Sequence, residues 1–264
     1  MSQGGPDMPI LAERKGEVLH LTLNRPRRGN SLVLPLLDGL IAALDTHADA
    51  SSIILTGAGR AFSSGGDIGA FLDHAEDSDA LSDYAARLVG RLNTAILALI
   101  DHPGFLIAHL NGPVTGGSLG LMLAADHVLM DENAFIQPYY AQMGFAPDGG
   151  WTAMLPRQIG EHTARNWLIR DQRWSARQAM SAGLAQAVTD RDSVAGMIAA
   201  ILNNTAGLDR SVMKTVRQLT VCEGLEARLE AERQAFLDQI RRPETLRRMQ
   251  DFIAANTKPK RGAA

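Results

Sequence analysis

Between Glu17 and Leu23 the apolar residues Leu19, Leu21 and Leu23 alternate with His20 and Thr22, a period of two that predicts a strand with one face buried. A polar turn, Asn24-Arg25-Pro26-Arg27-Arg28-Gly29-Asn30-Ser31, follows it. Leu36, Leu37, Leu40, Ile41 and Leu44 then recur at helical spacing up to Ser52-Ile53-Ile54-Leu55-Thr56, an unbroken apolar run that suits a strand covered on both faces. Leu81, Ala85, Leu88, Leu92, Ala95 and Leu99 mark a long amphipathic helix, and Phe105 to Leu110 reads as the next strand, stopped by Asn111-Gly112-Pro113. Asp126 to Met130 and Ala134 to Ile136 predict two further short strands. From about Trp151 the strand signals fade, and helical periodicity takes over near 176–188, 194–202, 211–220, 223–240 and 243–255. No repeat of fixed period is present. The predicted fold class is α/β: a parallel layer of strands and helices followed by a helical tail.

The 264 residues and their ordinary balance of apolar and charged types suit one large domain with an appendage. We place an α/β core at 1–200 and a helical region at 201–264, a kind of tail that commonly packs against another subunit. A net charge of -3 gives no general attraction to nucleic acid or to an anionic membrane, although Lys258, Lys260 and Arg261 make the end of the chain locally basic. The single cysteine, Cys222, excludes an intrachain disulfide and leaves no cysteine cluster for a metal. No signal-peptide pattern opens the sequence and no apolar run approaches the ~20 residues that span a bilayer, so the expected location is the cytoplasm.

Two glycine-rich turns carry the candidate chemistry. Thr56-Gly57-Ala58-Gly59-Arg60-Ala61-Phe62-Ser63-Ser64-Gly65-Gly66-Asp67-Ile68 follows one predicted buried strand, and Asn111-Gly112-Pro113-Val114-Thr115-Gly116-Gly117-Ser118-Leu119-Gly120 follows another. Glycine permits close backbone approach, and the first N–H groups of the apolar helix beginning near Leu121 would lack partners and attract negative charge. Each turn by itself also fits a plain strand-to-helix connection. Neither carries a Walker loop or the G-x-G-x-x-G spacing, which disfavours a nucleotide phosphate cradle.

Taken together, Ala61-Phe62-Ser63-Ser64-Gly65-Gly66-Asp67-Ile68 and the segment from Asn111 to His127 resemble the two signature segments of the enoyl-CoA hydratase/isomerase, or crotonase, family. Leu23-Asn24-Arg25-Pro26 with Asn30, Phe135 to Pro138, Gly144 to Trp151, Leu155 to Gly160 and Ala182-Gly183-Leu184 extend the similarity over nearly the whole chain. The resemblance implies a crotonase-like spiral of ββα units with a C-terminal helical trimerisation region. It implies an acyl-coenzyme A thioester as substrate, with no other cofactor and no metal, and a homotrimer or dimer of trimers. It places two backbone oxyanion donors at Ser64 and Gly117, where N–H groups stabilise the charge on a thioester enolate.

Members of the family that hydrate enoyl-CoA use two glutamates, and the matching positions here are Gly120 and Tyr139. Without that pair the site has no obvious acid and base to add water across a double bond. The remaining candidate is Asp148 in Pro147-Asp148-Gly149-Gly150, which resembles the catalytic aspartate of some crotonase-fold isomerases and the nucleophile of aryl-CoA dehalogenases. Burial beside Phe145 and Trp151 would have to raise its pKa for it to act as a base. An Asp before a helix starting near Gly149 is equally read as an N-cap, which would lower the pKa.

One base and an oxyanion hole suffice to move a proton between carbons, so a double-bond isomerase is the favoured activity. A hydratase, lyase, hydrolase or dehalogenase using Asp148, or an inactive acyl-CoA-binding subunit, stand as alternatives. The resemblance further puts Arg28 near the coenzyme A phosphates, and Ala61, Gly66, Asp67 and Ile68 beside the adenine; Asp67 is also read as a loop-fixing residue. Tyr139 and Tyr140 border the acyl pocket or pack in the core. Phe252 and Lys258 of the last helix are expected to reach a neighbouring subunit's ligand.

Overall fold

The computed structural model describes residues 8–257; Lys258, Lys260 and Arg261 lie outside them. The strands are β1 (Ile10–Lys15), β2 (Val18–Leu23), β3 (Ser52–Gly57), β4 (Phe105–Leu110), β5 (Val114–Thr115), β6 (His127–Asp131), β7 (Phe135–Gln137), β8 (Trp174–Ser175) and β9 (Ala187–Thr189). The helices are α1 (Leu34–Thr46), α2 (Ile68–Leu72), α3 (Ser78–Asp101), α4 (Leu119–Leu123), α5 (Tyr140–Met143), α6 (Leu155–Ile159), α7 (Glu161–Arg170), α8 (Ala176–Ser181), α9 (Val194–Thr205), α10 (Arg210–Thr220), α11 (Leu225–Ile240) and α12 (Pro243–Thr257). Among the described residues no helix is long and apolar enough to cross a membrane.

The larger sheet runs β1-β2-β3-β4-β6-β9, antiparallel only in the β1–β2 hairpin, and the smaller runs β5-β7-β8. The chain climbs through the two sheets in repeated turns. β4, β5 and α4 make one turn, with a strand in each sheet and a short helix; β6, β7 and α5 make the next. The turn before them has β3, a single bridge from Ser63 to Val114 in place of a second strand, and α2. This is the predicted ββα spiral, repeated in space without any repeat in sequence.

The stacking has a direct consequence. Ser63 pairs beside Val114, and Val114 pairs beside Ile136, so the segments that follow these residues in successive turns emerge side by side. Gly65-Gly66, Gly116-Gly117 and Pro138-Tyr139 are therefore neighbours by topology, although about fifty and about twenty residues apart along the chain.

The core lies between the sheets and α1, α3 and α11, and takes in Leu21, Leu40, Ile53, Leu92, Ile96, Leu121, Trp151, Leu229 and Phe236. Each such side chain contributes roughly 1.5–3 kcal/mol by leaving water. Helices of the tail thus share the core with the strands. The sequence pattern shows no strand at β1, β5, β8 or β9: Glu13, Arg14 and Lys15 break any alternation in β1, and the other three are too short for a period to stand out; the helix expected over 176–188 stops at Ser181, and Ala187–Thr189 closes the large sheet against β6. On α10, Val212, Val216 and Leu219 are left 56%, 54% and 78% exposed, in a row at helical spacing.

Candidate active site

The three neighbouring turn ends form one wall of a cavity of about 760 Å³. Arg27, Arg28 and Gly29 line it, as do the apolar Leu88, Leu92, Phe145 and Phe236; Tyr139, Tyr140 and Asp148 join the lining from the third turn and beyond.

The first glycine turn is fixed by the loop from Arg25 to Ser31. The Asn30 amide donates to the Ala58 and Ala61 carbonyls at 2.9 and 2.7 Å, Arg25 pairs with Asp67 at 2.9 Å, and the Ser31 hydroxyl donates to the same Asp67 oxygen at 3.0 Å. Burial pushes the Asp67 carboxyl up, but the hydrogen bonds from Arg25 and Ser31 and the charges of Arg28 and Arg25 outweigh it and hold the group below its ordinary range. Asp67 therefore stays charged and fastens the turn, and its side chain also caps α2.

The amide expected to be the first oxyanion donor is engaged within the chain. The Ser64 N–H donates to the Gly29 carbonyl at 2.9 Å, on the side away from the second glycine turn. Two residues on, Leu32 N–H donates to the Gly65 carbonyl and Asp67 N–H to the Leu32 carbonyl. In a parallel pairing of this kind Leu32 uses both its polar groups, so the N–H of the bridged residue, Gly66, points the other way. The two turns lie close together here, since a Cβ on Gly65 would fall 2.7 Å from the Thr115 carbonyl oxygen. The Ser64 N–H is thus taken within the chain, while Gly66, whose N–H is left out of the pairing with Leu32, lines the cavity.

In the second turn Gly116–Ser118 forms a short 3-10 helix leading into α4. Gly117 N–H lies in its first turn, where no intrahelical carbonyl is available. A Cβ at Gly117 would lie 2.9 Å from both Asp148 carboxylate oxygens and 2.7 Å from Leu92 Cδ2, so the acid sits directly over this glycine. At Gly120 a Cβ would be driven into Ile96 Cδ1 and the Gly149 carbonyl oxygen. A glutamate at that position is not merely absent from the sequence; the fold leaves no room for one.

Asp148 is buried. The Tyr140 hydroxyl donates to its Oδ1 at 2.6 Å and to its carbonyl oxygen at 3.0 Å. Burial raises the carboxyl most, the Tyr140 hydrogen bond lowers it, the Glu232 charge raises it, and the outcome is a pKa of about 7. Burial and then the charge of Asp148 push the Tyr140 phenol well above its ordinary range, so it remains a donor. The N-cap alternative for Asp148 does not hold: α6 begins only at Leu155, and the amides of Gly150, Thr152 and Ala153 are accepted by Glu232.

Tyr139, at the other glutamate position, is a non-glycine residue in the left-handed region, φ 63°. Its N–H donates to Asp171 Oδ1 at 2.6 Å, and Gln142 N–H donates to the other oxygen at 3.0 Å, which holds the strained backbone in place. Of the remaining expected residues, Arg28, Gly66, Asp67 and Ile68 line the cavity and Ala61 does not. Phe252, expected at a neighbour's ligand, lines the cavity of its own chain from α12, which Arg248 ties to the Ala141 and Gln142 carbonyls at 3.2 and 2.9 Å. Lys258 lies outside the described residues. Sequence reasoning left Tyr140 open between a pocket role, with its phenol as a hydrogen-bond donor, and core packing, and it missed Glu232 altogether. For the tyrosine a signal existed, since a buried phenol needs a partner; for the glutamate, one charge among many on an amphipathic helix gave none.

Comparison with known proteins bears on this arrangement. The family model described as Enoyl-CoA hydratase/isomerase matches residues 13–257. The probable enoyl-CoA hydratase echA12 of Mycobacterium bovis is 33% identical over 234 residues, 86% of this chain and 81% of that one. Among solved structures, an enoyl-CoA hydratase from Bacillus halodurans superposes with a TM-score of 0.84 at 24% identity, covering 92% of this chain and 99% of that chain. An enoyl-CoA hydratase/isomerase from Mycobacterium paratuberculosis gives 0.80 at 26%, covering 92% and 98%.

Proposed function

Since the chain belongs to the enoyl-CoA hydratase/isomerase family, we propose that it is an acyl-CoA enzyme that shifts a carbon–carbon double bond by proton transfer, with Asp148 as the single base. The thioester carbonyl oxygen sits between the Gly66 and Gly117 N–H groups, and Asp148, above Gly117, takes a proton from the carbon next to the carbonyl. The C–H electrons move toward the carbonyl oxygen, giving a dienolate held by the two N–H groups. The Asp148 carboxyl then returns the proton two carbons further along, and the double bond comes into conjugation with the thioester. Each backbone donor in such a hole is worth about 3 kcal/mol in the transition state.

The observation that carries this reading is the pairing of one buried acid of pKa about 7 with a filled glutamate position at Gly120. A carboxyl poised near neutrality both accepts and returns a proton with little penalty. A second carboxylate to orient water is lacking at Tyr139 as well. Arg28 and Ile68, which also line the cavity, suit the coenzyme A moiety, and the same family reading carries an assembly of like chains through the exposed Val212, Val216 and Leu219 of α10.

The test is to supply 3-enoyl-CoA and 2-enoyl-CoA and identify products by mass and ultraviolet absorbance. Conjugation of the 3-enoyl thioester without gain of water is expected, with a rate that rises as Asp148 ionises, so that activity falls off below about pH 7. Asp148→Asn should lower kcat by about 10²–10⁴ with little change in KM. Hydration of the 2-enoyl thioester as the faster reaction, or full turnover by Asp148→Asn, would overturn the assignment.

A further inference from the structure

The group that fixes the Asp148 turn does not line the cavity. Glu232 projects from the middle of α11 and is buried. One of its oxygens accepts from Gly150 N–H at 2.7 Å; the other accepts from Thr152 N–H and its hydroxyl, both at 2.6 Å, and from Ala153 N–H at 2.9 Å. Four donors from three residues, Gly150, Thr152 and Ala153, thus converge on one carboxylate contributed from about eighty residues downstream. Hydrogen bonds to a charged acceptor are about twice as strong as neutral ones, so this turn is held far more firmly than a loop of its length would be by its own backbone.

What the turn carries makes the anchor relevant to chemistry. Asp148 lies two residues before Gly150, across Gly149 and Gly150 with φ of 65° and 89°, and its carboxylate meets Gly117. Trp151, inside the anchored stretch, donates through Nε1 to the Gly116 carbonyl at 2.8 Å. One anchor therefore reaches the base on one side and the second oxyanion turn on the other.

We propose that Glu232 is a positioning residue for the proton transfer: through the amides of Gly150, Thr152 and Ala153 it fixes the spacing between Asp148 and the Gly117 N–H, and it holds a buried negative charge behind the base. The proposal rests on the isomerase reading of the site and deepens it. Two titratable groups face Asp148, Tyr140 from α5 and Glu232 from α11; from α3 the neighbour at Gly117 is the apolar Leu92. The phenol favours the ionised carboxyl, the glutamate opposes it, and burial opposes it most. Burial raises the Glu232 carboxyl too, against the hydrogen bonds of Thr152, Gly150 and Ala153.

The test uses the full chain with carboxyl carbons of Asp and Glu labelled with ¹³C, titrated by NMR without substrate; Asp148→Asn and Glu232→Gln identify the two signals. In the unmutated protein the Glu232 signal should move again as Asp148 titrates near pH 7, because coupled groups report each other's ionisation. In Glu232→Gln, which retains one accepting oxygen, the Asp148 midpoint should fall toward the ordinary carboxylate range. The acid limb of kcat should move to lower pH with it, and the maximal kcat should drop about tenfold with KM nearly unchanged. A purely structural role would lower kcat without moving the limb or the midpoint, and that result overturns the proposal. Should Glu232→Gln not fold, a Glu232 signal that ignores the Asp148 step in the unmutated protein overturns it equally. Normal turnover by Asp148→Asn alongside clear coupling would instead sink the isomerase reading and leave the tie between the two acids standing.

Discussion

The two glycine turns hold their donors by opposite means. The first is tied by polar side chains from a different part of the chain: Asn30 to the Ala58 and Ala61 carbonyls, Arg25 and Ser31 to Asp67, and Asn111 accepting the Gly57 N–H at 3.0 Å. The second is wedged by volume. Leu92 and Asp148 press on Gly117, Ile96 and the Gly149 carbonyl press on Gly120, and the side-chain hydrogen bonds are few: Trp151 to the Gly116 carbonyl and the Ser118 hydroxyl to the Thr115 and Ser63 carbonyls. A donor held by charge and hydrogen bonds should respond to pH and to lost partners, whereas one held by packing should respond to added atoms.

The largest effect is expected where added volume meets the wedged turn. Gly117→Ala puts a methyl group into the Asp148 carboxylate and Leu92 and should reduce kcat by about 10²–10³, the scale of losing an oxyanion donor. Gly66→Ala meets only the ring edge of Phe71, 2.9 Å from the new Cβ, with no backbone or carboxylate in the way; a loss within about tenfold is expected. Equal losses in steady-state assays would break the contrast.

Next in size is the polar tie. Asp67→Asn should destabilise the protein by about 2 kcal/mol in denaturant unfolding near neutral pH, since it strands Arg25 at a mostly buried partner. The sign with pH follows from the lowered pKa of Asp67: its contribution is complete above the ordinary value of 3.8 and disappears as pH falls through the lower value it has in the folded protein. The variant and the parent protein should therefore converge in acid. A difference that persists there would mean that packing, not charge, holds the first turn.

The smallest effect tests the proposal that Gly66, and not Ser64, supplies the first donor. Ser64→Ala removes an exposed hydroxyl whose bond to the Arg28 carbonyl is 3.4 Å long and leaves the N–H on Gly29 in place. Stability should change by less than about 0.5 kcal/mol and kcat by less than about twofold. An ester replacing the amide at Ser64 or Gly66 separates the two more directly: only the Gly66 ester should lose turnover on the oxyanion scale.

Local pattern made much of the molecule legible in advance. The period of two in Leu19, Leu21 and Leu23, the unbroken run at Ser52 to Thr56 and the helical spacing from Leu81 to Leu99 correspond to β2, β3 and α3. The glycines at 65–66 and 116–117, the missing glutamates at 120 and 139 and the lone acid at 148 were equally visible, because each is a matter of residue type at a position. Tertiary structure alone decided which peptide plane in Ser64-Gly65-Gly66 faces the cavity, since a pairing with Leu32 sets that orientation. It decided that Asp148 is a buried acid and not a cap, because no helix begins there and the amides that follow it are taken by Glu232, about eighty residues away. It also brought Phe252 to its own chain's cavity, by laying α12 over α5. Hydrophobic period reports which face of an element is buried; orientation of a single amide and the partner of a buried charge depend on contacts between distant segments, and those have no period to read.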